Sequence, residues 1–136
     1  MPRSATTTST STGDGIRSDT TETGLTILRH RADFLRAARG RRQHVPGLVL
    51  QAIARSPADG TGIRVGYTCS KKVGNAVARN RAKRRLRAVA GMELPLHGRS
   101  GWDYVLIGRA GITADRPFAA LREDLRTALA RIHGPS

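Results

Sequence analysis

The sequence predicts an α/β (α+β) sandwich in which helices lie over a small sheet. Three observations carry that reading. Residues 63–69 alternate apolar and polar side chains at the period of a strand. Residues 75–90 and 118–132 repeat their apolar side chains at helical spacing. Along the chain the patterns run helix, strand region, helix, strand, helix, the order expected of helices packed on a sheet. At 136 residues the chain holds one domain at most.

The elements follow in order. Residues 1–24 are rich in Ser, Thr and Gly and nearly free of large apolar side chains. Such a segment cannot bury enough surface to offset its ordering entropy, so a disordered extension is expected there. Its three acidic residues, Asp14, Asp19 and Glu22, argue against a mitochondrial presequence. The domain is expected over 25–136. Residues 31–39 read as a short helix with Phe34, Leu35 and Ala38 on adjoining faces, stopped by Gly40. Residues 48–55 read as a strand, and SPADGTG at 56–62 as a turn. Ile63, Val65, Tyr67 and Cys69 alternate with Arg64, Gly66 and Thr68, and the two strands are expected to pair as a hairpin.

A helix is expected from about Asn75 to Ala90. At 100° per residue, Ala78, Ala82, Leu86 and Val89 share a narrow apolar arc. Arg79, Asn80, Lys83, Arg84 and Arg87 lie opposite, with Arg81 and Arg85 flanking the stripe. Residues 94–101 read as a loop and 102–109 as an apolar strand. Thr113 or Asp115 is the expected cap of a last helix, with Pro117 near its first turn. Phe118, Leu121, Leu125, Leu129 and Ile132 form that helix's core stripe.

Charge indicates the partner. The formal net charge is +14, and residues 1–24 carry −1 of it, so residues 25–136 hold +15. From Lys71 to Arg87 there are eight cations and no acid. A solvated helix normally interleaves both signs to gain i,i+4 pairs. A face that forgoes those pairs suits a polyanion, and nucleic acid is the expected one. Only three of the 24 cations are lysines, which either genome composition or a preference for guanidinium against phosphate explains.

Other classes find little support. Cys69 is the single cysteine, so no disulfide or Cys-based metal cluster is expected, and a reducing cytoplasm fits best. His30, His44, His97 and His133 are scattered without zinc spacing. No apolar run approaches the roughly 20 residues of a membrane span. No catalytic Ser/His/Asp or Cys/His order is visible, and the cationic block lacks the acidic oxygens that a protein-borne Mg²⁺ site needs.

Residues 70–87, SKKVGNAVARNRAKRRLR, resemble the protein component of bacterial ribonuclease P. The family signature Arg-Asn-Arg, any residue, Lys-Arg is met by Arg79, Asn80, Arg81, Lys83 and Arg84. Asp33-Phe34, Arg64-Val65-Gly66 and Asp103-Tyr104 follow in the family's order, so the resemblance covers about 25–133. It implies a two-layer sandwich of order α-β-β-β-α-β-α with a small mixed sheet, like the second domain of a small-subunit ribosomal protein. It also implies a left-handed βαβ crossover, against the general right-handed rule. The implied function is that of a ribonucleoprotein subunit. It binds the catalytic RNA and the 5′ leader of precursor tRNA, and assists metal-dependent endonucleolytic removal of that leader. The chemistry and the Mg²⁺ are then the RNA's, with no obligate protein partner and no membrane. Composition alone fits a structural RNA-binding protein of ribosomal type equally well.

The RNA contacts expected from motif and charge are Lys71, Lys72, Arg79, Asn80, Arg81, Lys83, Arg84 and Arg87. Asn80 either bonds RNA or serves structurally between the arginines. Lys71 and Lys72 sit where strand gives way to helix, beside N–H groups favourable to anions. By resemblance, a leader cleft lies between the first helix and the sheet, with Phe34, Arg36 and Gln51 as candidates. Phe34 either stacks a base or fills the core, and Arg36 either lines the cleft or solvates its helix. The family's second helical aromatic is Ala38 here, and a common strand tyrosine is Gln51, so hydrogen bonding would replace part of the stacking.

Overall fold

A computed structural model describes residues 25–56, 58, 60–69, 72 and 74–134. The extension expected at 1–24 lies outside these residues, as do Ser70, Lys71 and Val73. The elements are β1 (Thr26–Ile27), α1 (Arg31–Ala38), β2 (Arg41–Val45), β3 (Leu48–Ala54), β4 (Arg64–Cys69), α2 (Ala76–His97), β5 (Trp102–Gly108) and α3 (Phe118–His133). After the short β1, this is the order that the resemblance implied.

The five strands form one mixed sheet, ordered β1-β4-β5-β3-β2. β4 runs parallel to β5 and to β1, whereas β3 runs antiparallel to β5 and β2. The expected hairpin of 48–55 with 63–69 is therefore not formed, because β5 lies between those strands. The hairpin is β2–β3 instead, joined by Pro46-Gly47 in a two-residue turn. The physical reason lies in Arg55, whose side chain is 1% exposed. It donates to the carbonyls of Gly60, Thr61 and Gly62, so the chain after β3 winds round a guanidinium and not through a tight turn.

The principal core lies between the sheet and α2 with α3. Leu48, Leu50, Val65, Tyr104 and Leu106 meet Leu86, Val89 and Leu94 of α2 and Leu121, Leu125 and Leu129 of α3. The small Ala82 and Ala90, both fully buried, let α2 approach closely. The opposite sheet face carries only α1 and a smaller cluster, Leu28, Ala37 and Val105, packed by Phe34, Ile53 and Ile107. Eight residues of helix cannot cover a five-stranded sheet, and part of that face stays open.

α2 continues seven residues past the expected end, and the predicted loop 94–101 begins inside it. Pro95 lacks an N–H, but near a helix end that loses little. Leu94 is fully buried, and the Gly98 N–H closes on its carbonyl at 2.8 Å. At the other end Asn75 caps the helix, its Oδ1 accepting from the Ala78 N–H at 3.0 Å. Neither Thr113 nor Asp115 caps α3, whose N-cap position is Pro117. The Thr113 hydroxyl instead accepts from the Arg109 N–H and donates to the Gly47 carbonyl, pinning the loop to the hairpin turn.

Candidate nucleic-acid interface

Most of the sequence-derived candidates lie on two surfaces. The first is the outer face of α2. Asn80, Arg81, Arg84 and Arg87 are exposed and Arg79 and Lys83 are half-buried, while Ala82, Leu86 and Val89 are buried. From Arg79 to Arg87 the cationic face extends about 12 Å along the axis. No acid of α2 interrupts it, since the first in the helix is Glu93.

The cations differ in how they are held. Arg79 donates to the Gly74 carbonyl at 2.8 Å. That ties it to the bend where Gly74 adopts φ +136°, a conformation costly for any residue with a Cβ. Arg87 lies over the Tyr67 ring at 5.4 Å. Arg85 donates to the Arg116 carbonyl and sits over Phe118 at 5.9 Å, so it serves the α2–α3 junction. Arg81 reaches Asp115 at 3.7 Å, both side chains being largely solvated. Asn80 and Arg84 engage no partner among the described residues. Lys72 is exposed just before the helix, and Lys71 is outside the described residues.

The second surface is the uncovered strip beside α1, a groove of about 400 Å³. Arg29, Arg31, Phe34, Gln51, Tyr67, Thr68 and Val105 line it, and no carboxylate does. Phe34 does two jobs. It packs on the small cluster of Leu28, Ala37 and Val105, and it also walls the groove. Its seat is Gly66, where an added Cβ would come within 2.6 Å of the ring. Gln51 sits on the same sheet face, level with Val105 on β5 and 5% exposed. Ala38 is exposed and leaves the far end of α1 without an aromatic wall.

Arg36 is placed elsewhere. Its guanidinium donates to Asp103 at 2.7 Å and approaches Asp33 at 3.6 Å, and it does not line the groove. Asp103 is fully buried and also accepts from Arg55 and from Arg64, each at 2.7 Å. Burial alone would raise its pKa. The hydrogen bonds from Arg64, Arg55 and Arg36 outweigh that and hold the carboxyl below the usual range. This cluster clamps α1 to β3, β4 and β5, and so sets the groove's width.

Sequence reasoning missed Arg29 and Arg31. A signal was present: two cations flank the start of a helix, the end whose dipole disfavours them. The N-cap residue, His30, makes no side-chain cap there either. Tyr67, read mainly as core, packs against the principal core and also lines the groove, and its hydroxyl is buried without a hydrogen-bond partner among the described residues. Burial pushes that hydroxyl up to about 12, against the opposing pull of Arg87.

Comparison with known proteins bears on which polyanion these surfaces meet. A family model described as Ribonuclease P matches residues 25–133. The chain is 61% identical over 112 residues to the ribonuclease P protein component of Ruegeria pomeroyi, covering 82% of this chain and 90% of that one. It is 51% identical over 114 residues to the corresponding component of Paramagnetospirillum magneticum, covering 79% and 83%. Among solved structures, the RNase P protein from Thermotoga maritima superposes with a TM-score of 0.66 at 28% identity, covering 79% of this chain and 97% of that one. The matches favour the ribonucleoprotein reading over the ribosomal-type alternative.

Proposed function

The chain belongs to the ribonuclease P family as its protein component, and we propose that its two surfaces divide the work of one reaction. As such a component it partners the ribonuclease P RNA and serves processing of the tRNA 5′ end. In our reading, Arg79, Asn80, Arg81, Lys83, Arg84 and Arg87 on α2 dock that RNA, with Lys71 and Lys72 at the approach to the helix. The groove beside α1 takes the single-stranded 5′ leader of precursor tRNA. Phe34 offers a stacking face, Gln51 an amide, and Arg29 with Arg31 the charge that tracks a phosphate backbone.

The observation that carries this division is the contrast in chemistry between the surfaces. The α2 face is cationic and convex, with no aromatic ring offered to solvent, which suits phosphates of a folded RNA. The groove is concave, lined by two aromatic residues, Phe34 and Tyr67, with Gln51 and Thr68 as polar groups, which suits an unpaired strand.

Hydrolysis belongs, in this reading, to the RNA and the Mg²⁺ it holds. The donor chemistry of the described residues supports that assignment. Asp103, Glu93 and Asp124 are each bound by arginine, and no group of three His, Cys, Asp or Glu side chains gathers among the described residues. The protein's part is to neutralise phosphate repulsion and to position the substrate. A cytoplasmic location belongs to the same reading, supported by the lone Cys69.

Cleavage of precursor tRNA, measured with and without the cognate RNA subunit, tests the proposal. Leader removal at low Mg²⁺ should need both components. Cleavage by the protein alone would move the chemistry onto its side chains. Equal rates with and without the protein would remove its accessory role.

A further inference from the structure

Away from both surfaces, where the C-terminal ends of α2 and α3 meet, lies another open groove of about 480 Å³. His97, Arg99, Arg126, Leu129, Ala130 and His133 line it, and no carboxylate does. At 1.5 Å per helical residue, His97 lies about 27 Å from Arg79, so this is a separate place on the molecule.

His133 is 8% exposed, and its two ring nitrogens have different surroundings. The Arg99 N–H donates to Tyr104 Oη at 2.8 Å, and that oxygen lies 2.6 Å from His133 Nε2. Tyr104 is fully buried, so its own proton needs an acceptor. Nε2 is the acceptor within reach. The hydroxyl therefore donates to Nε2, and the imidazole proton sits on Nδ1. Burial, with Arg99 and Arg41 nearby, pulls the His133 pKa down to about 4, which keeps the ring neutral. Its Nδ1 is buried and has no hydrogen-bond partner among the described residues. The ring also meets Trp102 edge to face at 4.6 Å, and a buried N–H donor with no oxygen or nitrogen acceptor is costly and invites one.

Two guanidinium groups line the groove with that ring. Arg99 is fixed by donating to the His133 carbonyl at 3.1 Å. Arg126 bonds the buried Glu93 at 3.1 and 3.4 Å through Nε and one terminal nitrogen, and its other terminal nitrogen has no partner among the described residues. His97 lies 3.5 Å from the same carboxylate. One buried acid thus anchors the cationic wall without facing the groove.

We propose that this groove is a further RNA contact that takes a backbone phosphodiester. Arg99 and Arg126 supply the charge, and His133 Nδ1 supplies a neutral donor of fixed direction. The inference rests on the RNA partnership of the family and extends the protein's footprint beyond α2. A phosphodiester carries one negative charge and several acceptor oxygens, the complement of two partly committed guanidinium groups and one N–H.

The test uses the full chain with ¹⁵N-labelled histidine. At neutral pH the His133 proton should be on Nδ1, and added inorganic phosphate should shift that nitrogen. Arg99→Gln combined with Arg126→Gln should abolish the shift. In holoenzyme assembly the same pair should lower the slope of log affinity against log salt by about one, the share of one phosphate contact. A proton on Nε2, or a phosphate shift that survives the double change, would overturn the site. A phosphate shift with an unchanged salt slope would overturn its assignment to RNA. Alanine at Arg79, Arg81 and Lys83 should leave the phosphate shift intact, so failure of the α2 reading remains distinguishable from failure of this one.

Discussion

Arginine has two fates in this molecule. On the outer face of α2, Arg84 has no partner among the described residues, and Arg87 lies over the ring of Tyr67. Around Asp103, three guanidinium groups share one fully buried carboxylate, and one of them, Arg55, also binds four backbone carbonyls. The same side chain is a docking device in one place and a framework strut in the other. A count of cations cannot separate them; the presence or absence of an acid within reach does. Glu93 repeats the framework pattern on a smaller scale, between Arg122 and Arg126.

The largest effect should come from the framework. Asp103→Asn leaves three guanidinium groups around a neutral side chain and should cost about 3–5 kcal/mol of stability, as removal of one partner from a buried ion pair does. Urea unfolding measures it. The carboxyl's lowered pKa sets the pH window. Its contribution is complete above the ordinary carboxylate value of about 4 and is lost as pH falls through the lower folded value. The gap between wild type and variant should therefore close in acid. A gap that stayed constant down to strongly acid pH would show that the charge of Asp103 is not what stabilises the clamp.

The docking face should behave in the opposite way. Alanine at Arg79, Arg81 and Lys83 together should leave urea unfolding nearly unchanged while weakening binding to the RNA subunit. The slope of log affinity against log salt should fall by about two to three, because three fewer phosphates are neutralised. Filter binding across a salt series reads both. An unaltered slope would place these cations with the framework.

How far the sequence revealed each part follows from the range of the interactions. α2 and α3 were legible because their stripes repeat within a few residues: Ala82, Leu86 and Val89 on one, Leu121, Leu125 and Leu129 on the other. β2, with the sequence RRQHV, was not. It is one of the sheet's two edge strands, exposed over most of its length, and shows no apolar alternation. The partner of β3 was misread because sheet order depends on β5, which arrives some fifty residues later. Arg36 has the same origin. Its fixed partner, Asp103, lies 67 residues away, so the nearer expectation was the cleft. Phe34 and Gln51 entered through resemblance alone, and their shared sheet face became visible only through the β3–β5 register.

Phe34 likewise combines framework and docking, since it packs on the small core and walls the groove, and its substitution sharpens the comparison at moderate size. Phe34→Ala should weaken leader-bearing substrate by about 1–3 kcal/mol relative to mature tRNA, the worth of one stacked base. Equilibrium binding of the two RNAs to the holoenzyme separates this from the accompanying loss of packing on Leu28, Ala37 and Val105. Equal weakening of both RNAs would confine Phe34 to the core.

Arg81 should give the smallest effect, and it tests where the boundary runs. It lies on the docking face yet reaches Asp115 at 3.7 Å. Its side chain is 56% exposed and that of Asp115 is 75% exposed, so water screens the pair, and its stabilisation should stay within about 0–1 kcal/mol. Arg84 has no such partner among the described residues. Arg81→Ala and Arg84→Ala should therefore lower the salt slope by about one each, and only the first should shift the unfolding midpoint at all. If Arg81→Ala destabilised the fold as the Asp103 change does, exposure would be a poor guide to an arginine's fate. The two populations would then differ in degree and not in kind.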